Sequence, residues 1–241
     1  MEDKKNTIVE HLDELRVYIV RSLIFLFICV VIIYNFVGNI LKFLIKPVGK
    51  LVFIAPQEAF VANIKLAFFA GLLVSSPFIL YQIWRFVSSG LSAAERKQIC
   101  IFGPFSFLLF IAGFIFGYAL IVPLGVKFLL GFSSDYVAPM ITINNYISFV
   151  SMLSFAFALV FQLPMVLLFL TKIGIVTPAV LVKRRKEAVV LVFISAATLT
   201  PPDVITQVLM AIPLILLYEL GVILSKLAYR PTYRASLEKD A

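Results

Sequence analysis

The stretch YIVRSLIFLFICVVIIYNFV, from Tyr18 to Val37, decides the fold. As a helix, 20 residues rise about 30 Å, the thickness of a bilayer's hydrocarbon core. A secretory signal peptide has an apolar core of about 7–15 residues and a small-residue cleavage site after it. This run is longer, no such site follows, and residues 1–16 before it are polar and mixed in charge. The run is therefore read as a retained membrane-spanning helix.

The rest of the chain agrees. Of its 241 residues, 62% are hydrophobic and 14% charged, whereas soluble domains are about 45–50% apolar. Cys29 and Cys100 both sit at apolar segments, which suits small buried hydrophobes better than a disulfide. The only histidine is His11, so no Cys/His cluster can hold a metal, and no cofactor is expected. The net charge of +8 is read as a positive-inside bias plus attraction to anionic lipids, not as a nucleic-acid footprint.

Further apolar runs lie at 66–86, 99–122, 147–170, 189–199 and 204–224. The fifth is too short to span as an ordinary helix. Pro201-Pro202 separates it from the sixth by a tight turn, so a short fifth/sixth helical hairpin is expected, with local thinning of the bilayer. The fold class is thus all-α integral membrane, with six transmembrane helices in one domain over residues 1–230. Residues 231–241 are expected to be a disordered tail. Of the 21 Lys and Arg residues, 16 fall on the side holding the N-terminus, 87–98, 171–187 and the C-terminus, which makes both termini cytoplasmic. The loops at 38–65 and 123–146 then face outward.

Helix starts are marked by possible capping boxes at Thr7-x-x-Glu10 and Ser92-x-x-Glu95. Capping residues precede proline at Thr177-Pro178 and Thr200-Pro201. Pro77, Pro104, Pro164 and Pro213 fall inside apolar runs and are expected to kink their helices, favouring a curved molecule with a concave face.

Four segments together resemble one family. His11-Leu12-Asp13-Glu14-Leu15-Arg16 resembles the "HLxELR" opening of TatC, the multispanning core of the twin-arginine translocase. The others are Ser76-Pro77-Phe78-Ile79-Leu80-Tyr81-Gln82-Ile83-Trp84, Gly90-Leu91 through Glu95-Arg96, and Leu199-Thr200-Pro201-Pro202-Asp203. The resemblance covers about residues 7–228. It implies a non-enzymatic receptor in the cytoplasmic (inner) membrane that binds twin-arginine signal peptides. It also implies recruitment of single-span TatA and TatB partners, export of folded proteins on the proton-motive force, and self-association in a larger complex. The chain departs from the family at Val17 and Tyr18, where basic residues often follow Arg16, and at Gln162, where many members carry glutamate. Gln162 is therefore expected to hydrogen-bond rather than relay protons.

The same resemblance assigns Glu14 and Glu95 to the twin-arginine site, with Arg16, Gln82 and Phe86 nearby. Two guanidinium forks need two carboxylate acceptors. The structural alternatives are a capping-box role for Glu95 and an exposed helix ion pair for Glu14. Partner helices are expected near Gln162, Thr200 and Gln207, around the structural turn of Pro201, Pro202 and Asp203. Gln162 could equally bond the carbonyl that Pro164 frees. Glu219 is expected to pair structurally with Lys226. A secondary transporter of a small solute or ion is the alternative function. It predicts paired mid-span ionisable groups and repeated halves, and neither is seen. An intramembrane hydrolase would need a nucleophile and base or a metal site within the spans.

Overall fold

A computed structural model describes residues 8–89, 93–131, 136, 139–199 and 204–229. These residues are helical, apart from short connections and one parallel bridge between Val52 and Thr142. The helices are α1 (Ile8–Tyr34), α2 (Val37–Leu44), α3 (Pro56–Ser89), α4 (Ala93–Phe116), α5 (Val122–Leu130), α6 (Ile143–Val160), α7 (Leu163–Lys172), α8 (Pro178–Lys183), α9 (Arg185–Leu199) and α10 (Val204–Ala228). A π-helical turn, Gly117–Ile121, joins α4 to α5. Thr7, Ser92, Thr200, Pro201, Pro202, Asp203 and the tail from Pro231 lie outside the described residues.

Five described helical stretches are long and apolar enough to cross a membrane: Leu12–Tyr34, Pro56–Ser89, Phe102–Leu130, Ile143–Lys172 and Gln207–Ala228. The run at 189–199 falls in α9, whose 15 residues rise about 22 Å. The run is therefore helical, and it is not among these five stretches. Several boundaries differ from the apolar runs, for local reasons. The first span ends at Tyr34 rather than Val37 because the Asn35 side chain donates to the Val31 and Ile32 carbonyls, both at 3.3 Å, and the chain turns there. The second helix starts ten residues early. Pro56 suits a first helical position, and Glu58 reaches back to accept from the Ile54 N–H at 2.9 Å.

The prolines act unequally. Helix continues through Pro77, Pro104 and Pro213, and only Pro164 coincides with a break, between α6 and α7. Pro77 cannot donate to the Leu73 carbonyl, one turn earlier. The Ser76 hydroxyl donates to that oxygen instead, at 2.7 Å. Helix α7 ends in a Schellman motif. Gly174 takes φ +78, Ile175 N–H donates to Leu170 O at 3.1 Å, and Gly174 N–H donates to Thr171 O at 3.2 Å.

The chain divides into two compact units, residues 1–108 with 133–151, and 109–132 with 152–241. In the first, α1 and α3 run antiparallel in close contact. Tyr18 meets Phe86 edge-on with ring centres 6.1 Å apart, and Phe25 meets Phe78 at 4.4 Å. Gly71 lets the backbones touch, since a Cβ there would lie 2.7 Å from Val30 Cγ2 and 2.9 Å from Val30 Cα. At the far end, Tyr146 OH donates to Leu44 O at 2.8 Å, and Lys65 Nζ donates to Asn144 Oδ1 at 2.8 Å and Ser148 Oγ at 2.9 Å. The bridge at Val52 is held by Val52 N–H to Ile141 O and Ile143 N–H to Val52 O, at 3.1 and 2.9 Å.

The second unit repeats the close approach through other glycines. Cβ atoms at Gly113 and Gly117 would meet Phe157 O at 2.6 Å and Ser154 Cα at 2.9 Å. Phe116 packs on Phe157 and Phe161, and Phe114 on Phe155. Gly221 of α10 lies against Leu167 and Pro164 of α7. In lipid such tight packing supplies the association that apolar burial supplies in water.

Gly71→Leu is expected to lower stability by about 1–3 kcal/mol through overpacking, read as a lower thermal midpoint in detergent. Gly103→Ala, where a Cβ meets nothing within 4 Å, should leave the midpoint unchanged. Ser76→Ala should cost about 1 kcal/mol in the native background and nothing in a Pro77→Ala background, where an N–H is restored to the Leu73 carbonyl. An equal cost in both backgrounds would remove the Ser76–Pro77 coupling.

Candidate functional site

Helix α1 carries Glu14 one turn before Tyr18, on the same face. Opposite pairs along α1 and α3 are Tyr18 with Phe86, Phe25 with Phe78 and Val30 with Gly71. One further turn in this antiparallel register brings Glu14 level with the end of α3. Glu14 is half-buried, and its Oε2 is shielded from solvent. The Arg85 guanidinium lies 6.0 Å from the Tyr18 ring centre. Ser88 and Ser89 turn their hydroxyls back to the Arg85 and Phe86 carbonyls, at 2.7 and 2.8 Å.

The residues expected near Glu14 divide. Phe86 is half-buried on Tyr18, whereas Gln82 is only 4% exposed, and its Oε1 meets no hydrogen-bond donor among the described residues. Gln82 therefore belongs to the interior of this unit. Arg16 is exposed. Two residues along a helix is about 200° of rotation, so Arg16 points away from Glu14. Glu95 is the third residue of α4, and its side chain lies outside the described residues. Further along α4, the Phe102 ring meets Trp84 of α3 with centres 5.4 Å apart. Residues 90–92 join the two helices, so the first turn of α4 and the last turn of α3 share the end of the unit where Glu14 sits.

In the second unit, Gln162 occupies the N-cap position of α7 but makes no side-chain cap bond there. Its backbone closes the break instead: Gln162 N–H donates to Leu159 O, and Gln162 O accepts from Met165 and Val166, all within 2.9–3.0 Å. Thr177 likewise sits at the N-cap of α8, in extended conformation, without a side-chain cap bond. Gln207 is half-buried, and its Nε2 donates to Phe193 O at 3.1 Å, tying α10 to α9 across the hairpin. Among the other partner-helix candidates, Thr200 lies outside the described residues, as do the turn residues Pro201, Pro202 and Asp203.

Glu219 does not pair with Lys226. Its Oε2 accepts from Arg185 Nη2 at 2.7 Å, and neighbouring Tyr218 OH donates to Leu181 O at 2.8 Å. Arg185 lies in the basic run from Lys183 to Lys186, which by itself reads as an anchor to the membrane surface. No local pattern links it to a residue 34 positions away, and only the crossing of α9 and α10 brings the two together. In the sequence, Lys65 is one of the few basic residues on the side of the 38–65 loop. Its two hydrogen bonds to α6 residues come from helix packing and carry no sequence signature. Among the described residues no cluster of three metal-ligating side chains occurs.

Glu219→Arg is expected to lower the thermal midpoint, and Arg185→Glu in the same chain to recover most of the loss. The pair is 36–44% exposed, so Glu219→Gln alone should cost no more than about 1 kcal/mol. Absence of recovery in the double reversal would mean that the pair is not formed.

Residues 10–213 match the family model of TatC, the Sec-independent protein translocase protein. Among relatives, TatC of Carboxydothermus hydrogenoformans is 46% identical over 231 residues, covering 94% of this chain and 95% of its own. TatCd of Bacillus subtilis is 37% identical over 234 residues, covering 96% and 97%. A crystal structure described as the twin-arginine translocase receptor TatC superposes with a TM-score of 0.82 at 39% identity, covering 92% of this chain and all of that one. With the family model matching most of its length, relatives of this similarity and the same helical fold, this chain belongs to the TatC family of Sec-independent protein translocase proteins.

Proposed function

We propose that this chain is the receptor and core subunit of a twin-arginine translocase, a carrier of folded proteins rather than an enzyme. The single observation that carries the reading is the placement of Glu14. It stands one turn from Tyr18, whose ring meets Phe86 near the end of α3, in a chain of the TatC family. A carboxylate there is held on a helix rather than on a loop. The Glu95 carboxylate on α4 supplies the second acceptor, and together they clamp the two guanidinium groups of a signal peptide. Each planar fork accepts two parallel bonds from a carboxylate, which a lysine ammonium cannot reproduce. Arg16 faces lipid phosphates at the membrane surface, and Phe86 offers an apolar contact beside the clamp.

The membrane arrangement proposed with it has six spans and both termini in the cytoplasm, with α9 as a short fifth span. The distribution of Lys and Arg supports the orientation. Single-span partners of the TatA and TatB type pack against the α9–α10 hairpin near Thr200 and Gln207 and against the break at Gln162. Polar contacts there are worth about 0.6–2 kcal/mol each, weak enough for reversible recruitment. Transport then draws on the proton-motive force, through partners rather than through a mid-span acid at position 162. A small-solute transporter finds no support in the relatives, which are protein translocase components.

A peptide with adjacent arginines should bind the purified full chain in detergent, and a twin-lysine peptide should not. Glu14→Gln and Glu95→Gln should each weaken binding about 10- to 100-fold, the range set by losing one charge-assisted pair. Equal binding of both peptides, or native affinity in the double variant, would overturn the clamp. A single cysteine placed at Lys186 should react with an impermeant thiol reagent from the cytoplasmic side only. Labelling from outside would reverse the topology.

A further inference from the structure

The segment after α1 has an unusual composition for its position. Only Asn35 and Phe36 separate the end of the first span from α2, so α2 lies at the membrane surface by connectivity alone. Its buried residues are Val37 and Leu44, which face the protein. Phe36, Phe43, Phe53 and Ile54, at 53%, 57%, 62% and 78% exposure, do not. Exposed apolar side chains of this size are unfavourable in water and favourable at the boundary of headgroups and acyl chains.

Charge accompanies the apolar face. Lys42, Lys46 and Lys50 are all exposed, and among the described residues none of them forms an ion pair. Lys42 shares a face of α2 with Asn39, and Lys46, in the turn after α2, stands with its Nζ 5.7 Å from the Phe43 ring centre. The only acid between Asn35 and Lys65 is Glu58, whose carboxylate is engaged by the Ile54 amide. The cations are therefore concentrated and uncompensated, on the side where lysine and arginine are otherwise sparse. The segment is also held in place, by Tyr146 OH on Leu44 O and by the bridge at Val52, so its lysines stay at one level.

We infer that α2 and the following residues to Ile54 form an anionic-phospholipid site in the leaflet where α1 ends. Phe36, Phe43, Phe53 and Ile54 enter the acyl boundary, and Lys42, Lys46 and Lys50 hold headgroup phosphates. An ordinary aromatic girdle would need neither three lysines at this spacing nor any preference for charged lipid. In the arrangement proposed above this is the outer leaflet. The inference rests on α1 being a membrane span and not on the receptor assignment.

The test uses the full chain in detergent, with phosphatidylglycerol, phosphatidylcholine or inorganic phosphate added. Phosphatidylglycerol should raise the thermal midpoint most, and a Lys42→Gln/Lys46→Gln/Lys50→Gln variant should lose most of that rise. In bilayers containing brominated lipid, the emission that Phe43→Trp adds over the parent's Trp84 should be quenched. Equal rises in parent and variant, an equal rise from phosphatidylcholine or from phosphate alone, or unquenched emission would each overturn the site. Twin-arginine peptide binding should be unchanged in the triple variant, which separates failure of this site from failure of the receptor reading.

Discussion

Every backbone amide and carbonyl that enters hydrocarbon must find its partner inside the protein, because lipid offers none. The whole architecture follows from that constraint. It makes the embedded chain helical, and it explains how the chain treats residues that interrupt helices. Pro77 frees a carbonyl that the Ser76 hydroxyl takes up. Pro164 is placed at the start of α7, where its missing N–H costs nothing. Asn35 and Gly174 close helix ends by local hydrogen bonds before the chain turns.

Helices that satisfy themselves still need a reason to associate, and apolar burial is weak where the solvent is also apolar. Here glycines supply it by letting backbones touch, Gly71 on Val30 in one unit and Gly113, Gly117 and Gly221 in the other. Close contact also sets register. Once Gly71 is seated on Val30, the aromatic pairs Phe25–Phe78 and Tyr18–Phe86 follow along the same seam, and Glu14 comes level with the end of α3. A contact near the far end of α1 thus determines the height at which a carboxylate stands about 24 Å away along the helix.

Much of this is legible in the sequence. Long apolar runs located four of the spans, since crossing a membrane is a requirement on length and composition alone. The shortness of α9 was equally plain. Boundaries were less so, because Glu58 reaching back to Ile54 and Asn35 closing α1 are events of single side chains within generally apolar or mixed sequence. The family motif picked out Glu14, Gln82 and Phe86 together, but not that Gln82 turns inward while Phe86 lies on Tyr18. A motif records which residues occur at which spacing, and not which side of a helix its neighbour covers.

The sequence by itself determined that the chain lies in a membrane as helices and which family it belongs to, since both depend on local composition and on motifs read in order along the chain. Tertiary structure alone decided the pairings of charge and polarity. Arg185 with Glu219, Lys65 with Asn144 and Ser148, and Gln207 with the Phe193 carbonyl join residues 34, 79, 83 and 14 positions apart. The physical reason is directional. A hydrogen bond or ion pair needs its atoms within about 3 Å, and that condition is met only after helix crossing and rotation are set by the packing of every side chain between them.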